Sequence, residues 1–239
     1  YLSDQRGSSE TDSFRSYHTF NFGQYMAEGR EPFGALYLLS EDTLKPGAGL
    51  TMQVEQPTEV VLLPIMGGLE YTSAGETHFL EPGQAGIVSL AAGTTYRVSN
   101  PYTSESINCL QIWFTKSDTD FSPAVGLTNF DLATANTLLP FFGNVPGVDA
   151  PSVDAPGVGQ TGYSGFIGRF AGREEGTYSI GAITRGQTKR VFVFVLQGVF
   201  EIANRLLHEK DGLALAYQQD DVLEFEALSN DAMLIVLTC

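Results

Sequence analysis

The segment "GLTMQVEQPTEVV", Gly49 to Val61, passes from a glycine turn through an alternating run to a glutamate and then into an apolar stretch. Alternation marks a strand with one buried face, and a continuous apolar run marks a strand covered on both. Such a pair is the grammar of a β-barrel. Where a metal-binding barrel would carry two imidazoles one residue apart on the first strand, this chain carries Gln53 and Glu55.

The same grammar extends on both sides. From Tyr17 to Phe114, short β-favouring runs ("YHTFNF", "GALYLL", "EVVLLPIM", "GLEYTS", "THFLEPG", "AGIVSL", "TTYRVS", "INCLQIWF") are punctuated by glycine and proline, a spacing that predicts a sandwich or barrel. "TSAGET", between Tyr71 and His78, reads as a hairpin turn with Gly75 at positive φ. Pro64 lacks an N–H for a ladder, so its strand is expected to be bulged there or to have a free edge. After Thr115 the pattern breaks. A short helix is predicted, with Asp131 as N-cap, Leu132, Leu138 and Leu139 as apolar residues, and Pro140 at its end. "NVPGVDAPSVDAPGVGQTG" reads as a linker or long surface loop. Strand-like runs resume at "GFIGRF" and continue to the C-terminus. The expected organisation is all-β: a first barrel over 1–125, a linker with the short helix over 126–163, and a second, reduced barrel over 164–239.

Composition agrees with many short strands, with 26 glycines and 17% charged residues in 239. Thirteen basic residues against 28 acidic ones leave a net charge of −15, which disfavours direct binding to nucleic acid or to anionic lipid. No run approaches the roughly 18 apolar residues of a membrane span. Cys109 and Cys239 follow no framework spacing and read as two reduced thiols of a cytoplasmic protein. The sequence starts at Tyr1 without methionine, which leaves a removed signal peptide open.

"RSYHTFNFGQY", "FGALYLLSEDTLKPGAG", "TEVVLLPIMGGLEYTSAG", "LAAGTTYRVSNP" and "LQIWF" follow one another in the order and spacing of the pirin family. The chain resembles these bicupins over residues 14 to 116, through the HTF motif (His18, Thr19, Phe20), the PGxG turn (Pro46, Gly47, Gly49) and LQIW (Leu110 to Trp113), and more weakly to the C-terminus. The resemblance implies two tandem cupin barrels of the double-stranded β-helix, jelly-roll kind. It also implies a mononuclear iron site in the first barrel, built from three histidines and a glutamate. Carried onto this sequence, the ligand positions hold Gln53, Glu55, Val98 and, where the family's "HSEYNP" is shortened to "VSNP", Asn100; the family's non-ligand glutamate remains as Glu59.

An amide, a carboxylate and an aliphatic branch are a poor set for a first-row metal, which loses binding energy and geometry with each imidazole removed. The three histidines of the chain, His18, His78 and His208, stand at none of these positions. His18 is expected to be packed and hydrogen-bonded, and the other two solvated or at strand edges. The site residues are therefore assigned neither a catalytic nor a cofactor role, and no metal or other cofactor is expected. Glu55 with Glu59 or Glu70 is the alternative, as an oxygen site for Ca²⁺ or Mg²⁺. The barrel space is expected to be filled by side chains or a ligand, with Met52, Gln53, Glu55, Glu59, Arg97, Val98 and Trp113 as the candidate pocket. Tyr71 and His78, facing across the hairpin, are a conceivable acid–base pair of the sugar-epimerase type. GxSxG, GxxxxGK[ST] and HExxH are absent.

The function expected from a retained scaffold with replaced ligand residues is a non-enzymatic one: a small-molecule ligand in the first barrel, or a protein partner, the latter in line with the family's links to transcriptional co-regulation. The alternative is a quercetin 2,3-dioxygenase-like oxygenase with an altered metal site. A monomer or weak dimer is expected.

Overall fold

The computed structural model describes residues 1–116, 124–143 and 162–239. In the first half the strands are β1 (Gly7–Glu10), β2 (Phe14–His18), β3 (Leu36–Leu44), β4 (Gly49–Gln53), β5 (Thr58–Met66), β6 (Leu69–Ser73), β7 (Glu76–Leu80), β8 (Gln84–Leu90), β9 (Thr95–Ser99), β10 (Ile107–Thr115) and β11 (Ala124–Asn129). They form a seven-stranded sheet in the order β1-β2-β3-β10-β5-β8-β11 and a four-stranded sheet in the order β4-β9-β6-β7. The second half comprises β12 (Leu139–Phe142), β13 (Ser164–Phe170), β14 (Glu175–Ser179), β15 (Lys189–Gln197), β16 (Phe200–Ile202), β17 (Arg205–Leu207), β18 (Gly212–Tyr217), β19 (Val222–Ala227) and β20 (Ala232–Thr238). Its sheets run β12-β13-β20-β15-β18 and β14-β19-β16-β17. Each half is a two-sheet barrel, so the chain is an all-β bicupin.

Alternation on the long strands divides the apolar residues between separate cores. On β5, Val60 and Leu62 face into the first barrel, whereas Val61 and Leu63 face the second half. On β10, Cys109 and Trp113 point inward while Leu110, Ile112 and Phe114 point across. That second set meets Phe141, Phe192, Phe194 and Leu237 in one cluster shared by both halves, and a fully buried aliphatic or aromatic side chain contributes roughly 1.5–3 kcal/mol. The second barrel is filled by its own cluster, where Phe170, Phe200 and Phe225 pack edge to face. An ion-pair network also ties the halves: Glu41 on β3 accepts from Arg6 at 2.9 Å and from Lys210 of the second half at 2.9 Å.

Pro64 sits at a bulge. The β10 register passes from Met66 opposite Asn108 to Pro64 opposite Cys109, skipping Ile65, and the β5–β8 ladder ends at Leu62. The hairpin closes through Ala74 (φ 52°) and Gly75 (φ 85°), with Tyr71 directly opposite His78. Two residues at positive φ are the signature of a type I′ turn, in which asparagine is favoured at the first position. Ala74→Asn is expected to raise stability by about 0.5–1 kcal/mol, read as an upward shift of the thermal midpoint.

Two readings are corrected between Ala124 and Phe142. The predicted helix at Asp131 is absent: the Asp131 carboxylate accepts the Ala133 N–H at 2.8 Å in a local turn, and Asn136 takes φ 58°. The described parts of the expected linker are sheet at both ends, since β11 pairs with β8 and β12 with β13. The proline- and glycine-rich stretch over 144–161 lies outside the described residues. Cys109 and Cys239 are unpaired thiols. Among the described residues no helix is long and apolar enough to cross a membrane.

Candidate functional site

The first barrel interior, where the resemblance places a metal, is occupied by side chains of this chain. Tyr71, Tyr96, Val98 and Trp113 are nearly or fully buried within its apolar cluster. Through them runs a chain of polar groups. The Trp113 indole Nε1–H donates to the Tyr96 hydroxyl at 2.8 Å, Tyr96 donates to Gln111 Oε1, and Gln111 Nε2 donates to Asp42 Oδ2 at 2.5 Å. Ser16 donates to Asp42 Oδ1 and Ser40 to Oδ2 at 3.4 Å. Asp42 and Gln111 are 0% exposed. Burial, partly offset by these three donors, pushes the Asp42 carboxyl above its ordinary range. Burial likewise pushes the Tyr96 hydroxyl well up. None of Ser16, Ser40, Asp42, Tyr96 or Gln111 was among the candidates from sequence, because a polar residue in an apolar run looks solvent-facing until its partners are known.

The residues at the four positions that the resemblance assigns to metal ligands do not converge. β4 pairs with β9 so that Leu50 opposes Val98 and Gln53 opposes Thr95. Side chains on a strand alternate, so Leu50, Met52 and Val54 share the inner face with Val98 while Gln53 lies on the other face. Gln53 is exposed and donates its amide to the Gly93 carbonyl at 3.2 Å. Val98 is 0% exposed. Asn100 is buried in a turn, where its Nδ2 donates to the carbonyls of Leu44 (3.1 Å) and Glu105 (2.7 Å) and its Oδ1 accepts from the Tyr102 N–H (2.9 Å). Among the described residues no group of three or more His, Cys, Asp or Glu is placed to hold a metal ion. The donor set does not fit the metal that the resemblance implies.

The candidate pocket divides in the same way. Gln53, Glu55 and Trp113 meet at a cleft of about 720 Å³ at one end of the first barrel, together with Phe22, Tyr37 and Glu31. Met52 and Val98 belong to the packed interior, and Arg97 is exposed on the outer face over Gly49. Glu59 is in the protein interior on the opposite face of β5, where it pairs with Lys116 at 2.7 Å and accepts from Ser89 at 3.1 Å. Its carboxylate is thus committed away from Glu55, and Glu70 stands on β6 opposite Ser99 and Phe79; these carboxylates do not assemble the alternative oxygen site.

His18 is buried, its Nε2 3.0 Å from the Ser9 hydroxyl. Burial and then Arg6 lower its pKa to about 4, so the ring is neutral at pH 7. His78 lies on β7, an outer strand of its sheet, and His208 is in an exposed turn. Tyr71 and His78 stack at 5.0 Å between ring centroids with planes 23° apart. Burial pushes the Tyr71 hydroxyl up to about 12, which moves it away from acid–base work near pH 7. The carboxylate nearest His78, that of Glu76, is 3.7 Å from Nε2.

Two sheet-barrels in tandem, each around its own apolar core and joined by a third, define a bicupin. The chain superposes on the crystal structure of the pirin YhhW from Escherichia coli with a TM-score of 0.81 at 20% identity, over 99% of this chain and 94% of that one. A nickel(II) complex of that pirin superposes equally well, over 99% and 96%. By sequence, the chain is 22% identical to a Pasteurella multocida protein provisionally named a quercetin 2,3-dioxygenase, over 92% of this chain and 90% of that one. It is 24% identical to the quercetin 2,3-dioxygenase of E. coli K12 over 57% of this chain and 59% of that enzyme. No family model matches. The fold is that of the pirin bicupins, and the chain is similar in sequence to proteins named quercetin 2,3-dioxygenases.

Proposed function

We propose that this protein is a non-enzymatic binding protein that holds a small molecule in the cleft beside Trp113. The observation that carries this reading is the division of the ligand positions: Gln53 lies on one face of the β4–β9 pair and Val98 on the other, while Asn100 is spent on a turn. The cleft keeps the volume and the mixture of aromatic and polar walls that small-molecule sites have. Metal analysis of protein purified without chelators tests it. Iron, nickel and manganese are each expected well below one per chain, and a stoichiometric transition metal would overturn the proposal.

The names of the relatives favour a second reading, an oxygenase of the quercetinase kind with another ligand set. Its signature is loss of flavonol absorbance that depends on added metal. On the binding-protein reading, quercetin absorbance is expected to stay unchanged with iron, copper, nickel, manganese or cobalt.

A further inference from the structure

Resting on the small-molecule reading above, we propose that the cleft takes an organic ammonium ion, seated among the rings of Phe22, Tyr37 and Trp113 and balanced by Glu31 and Glu55. The three rings come from separate elements, Phe22 from the loop after β2, Tyr37 from β3 and Trp113 from β10. Tyr37 and Trp113 lie 6.4 Å apart with planes only 12° from parallel, and Phe22 meets Trp113 at 5.6 Å with its plane turned by 86°. Two near-parallel rings and a third across them form a cornered aromatic wall. The negative potential over such ring faces attracts cations, and quaternary ammonium groups are recognised by cages of this composition.

Charge selects in the same direction. Glu31 and Glu55 are exposed at the cleft, and its other polar walls are the neutral side chains of Asn21, Gln53, Gln56 and Thr58. Neither carboxylate has an ion-pair partner among the described residues, and no Lys, Arg or His lines the cleft. His18, 5.4 Å behind Phe22, is neutral at pH 7 and adds no opposing charge. The net charge of −15 raises the local concentration of cations and depletes anions. A neutral aromatic ligand would use the rings but would strip water from two carboxylates without replacing it, which is unfavourable. An anionic ligand would meet both directly. At the rim, Met26 is 75% exposed, a flexible thioether suited to adapt to different substituents.

Trp113 is the single tryptophan of the chain, so its emission reports on this cleft. The test compares choline with its neutral carbon isostere 3,3-dimethylbutan-1-ol, by tryptophan emission and calorimetry in 150 mM NaCl, where exposed charges more than about 8 Å apart are largely screened. Choline is expected to shift the emission and to bind at least ten-fold more tightly than the alcohol. Glu31→Gln with Glu55→Gln is expected to weaken choline about ten-fold and leave the alcohol unchanged, and Tyr37→Ala to weaken both, with circular dichroism confirming the fold. Equal binding of choline and the alcohol, or a double variant without effect on choline, would overturn the ammonium assignment while the small-molecule reading stands. No response to choline, the alcohol or quercetin would remove both.

Discussion

Asp42→Ala is expected to destabilise the protein by about 4 kcal/mol, measured as the loss in unfolding free energy by denaturant titration. The carboxylate accepts from Ser16, Ser40 and Gln111 in a space closed to water. Alanine would leave two hydroxyls and one amide donor without their acceptor, and each buried unsatisfied group costs about 1–3 kcal/mol. Asparagine is the control. Its carbonyl can keep the Gln111 bond and its amide can donate to a serine hydroxyl that turns to accept, so Asp42→Asn is expected to lose less than about 1.5 kcal/mol. A large loss for alanine with a small one for asparagine identifies the network as the cause. Equal losses would show instead that the charge is what matters.

The same carboxyl makes a pH-dependent term whose sign is fixed. Its folded pKa is raised, chiefly by burial. Between the unfolded value and that raised value the native state holds a proton that the unfolded chain has released. Stability from this group is therefore fully present below the unfolded pKa and is lost as pH rises through the folded one. Asparagine does not titrate. The gap in stability between the native protein and Asp42→Asn is expected to be widest on the acid side and to narrow as pH rises, which denaturant titrations across pH would show.

The strands were legible because alternation and glycine spacing are local signals. Pro64 shows how far such signals reach: a missing N–H in an apolar run predicts a bulge or a free edge, and the β10 register slips there as the β8 ladder stops. Asp131 shows the opposite case. Asp131, Leu132, Leu138 and Leu139 suggest a capped helix, but aspartate serves a turn as readily as an N-cap, and no large apolar residue stands three or four places after Leu132, where Ala135 and Asn136 lie, to continue a helical face. What the site needed was register. Gln53 and Val98 look like neighbours in a ligand set until the pairing of Leu50 with Val98 assigns them to opposite faces. Asp42 was illegible for a similar reason, since Ser16 and Gln111 lie 26 and 69 residues away in sequence. Whether an acid in "YLLSEDTL" faces solvent or a barrel interior is decided by contacts of that range.

Lys116→Met is expected to cost about 3 kcal/mol in unfolding free energy. The sequence places Glu59 among the candidate pocket residues, yet its side chain is 0% exposed and meets the Lys116 ammonium, itself 4% exposed, at 2.7 Å. The ammonium also lies 3.3 Å from the Ser89 hydroxyl, which donates to the same carboxylate. Desolvation makes such a pair a modest net gain when intact, but removing one member leaves a buried charge against its neighbours. Adding Glu59→Gln to Lys116→Met is therefore expected to recover part of the loss, with a coupling of about 2 kcal/mol in a double-mutant cycle. A loss below about 1 kcal/mol for Lys116→Met would mean that water reaches the carboxylate. Glu59 would then be a surface group at the edge of the shared core, and its isolation from the cleft would rest only on the direction in which β5 presents it.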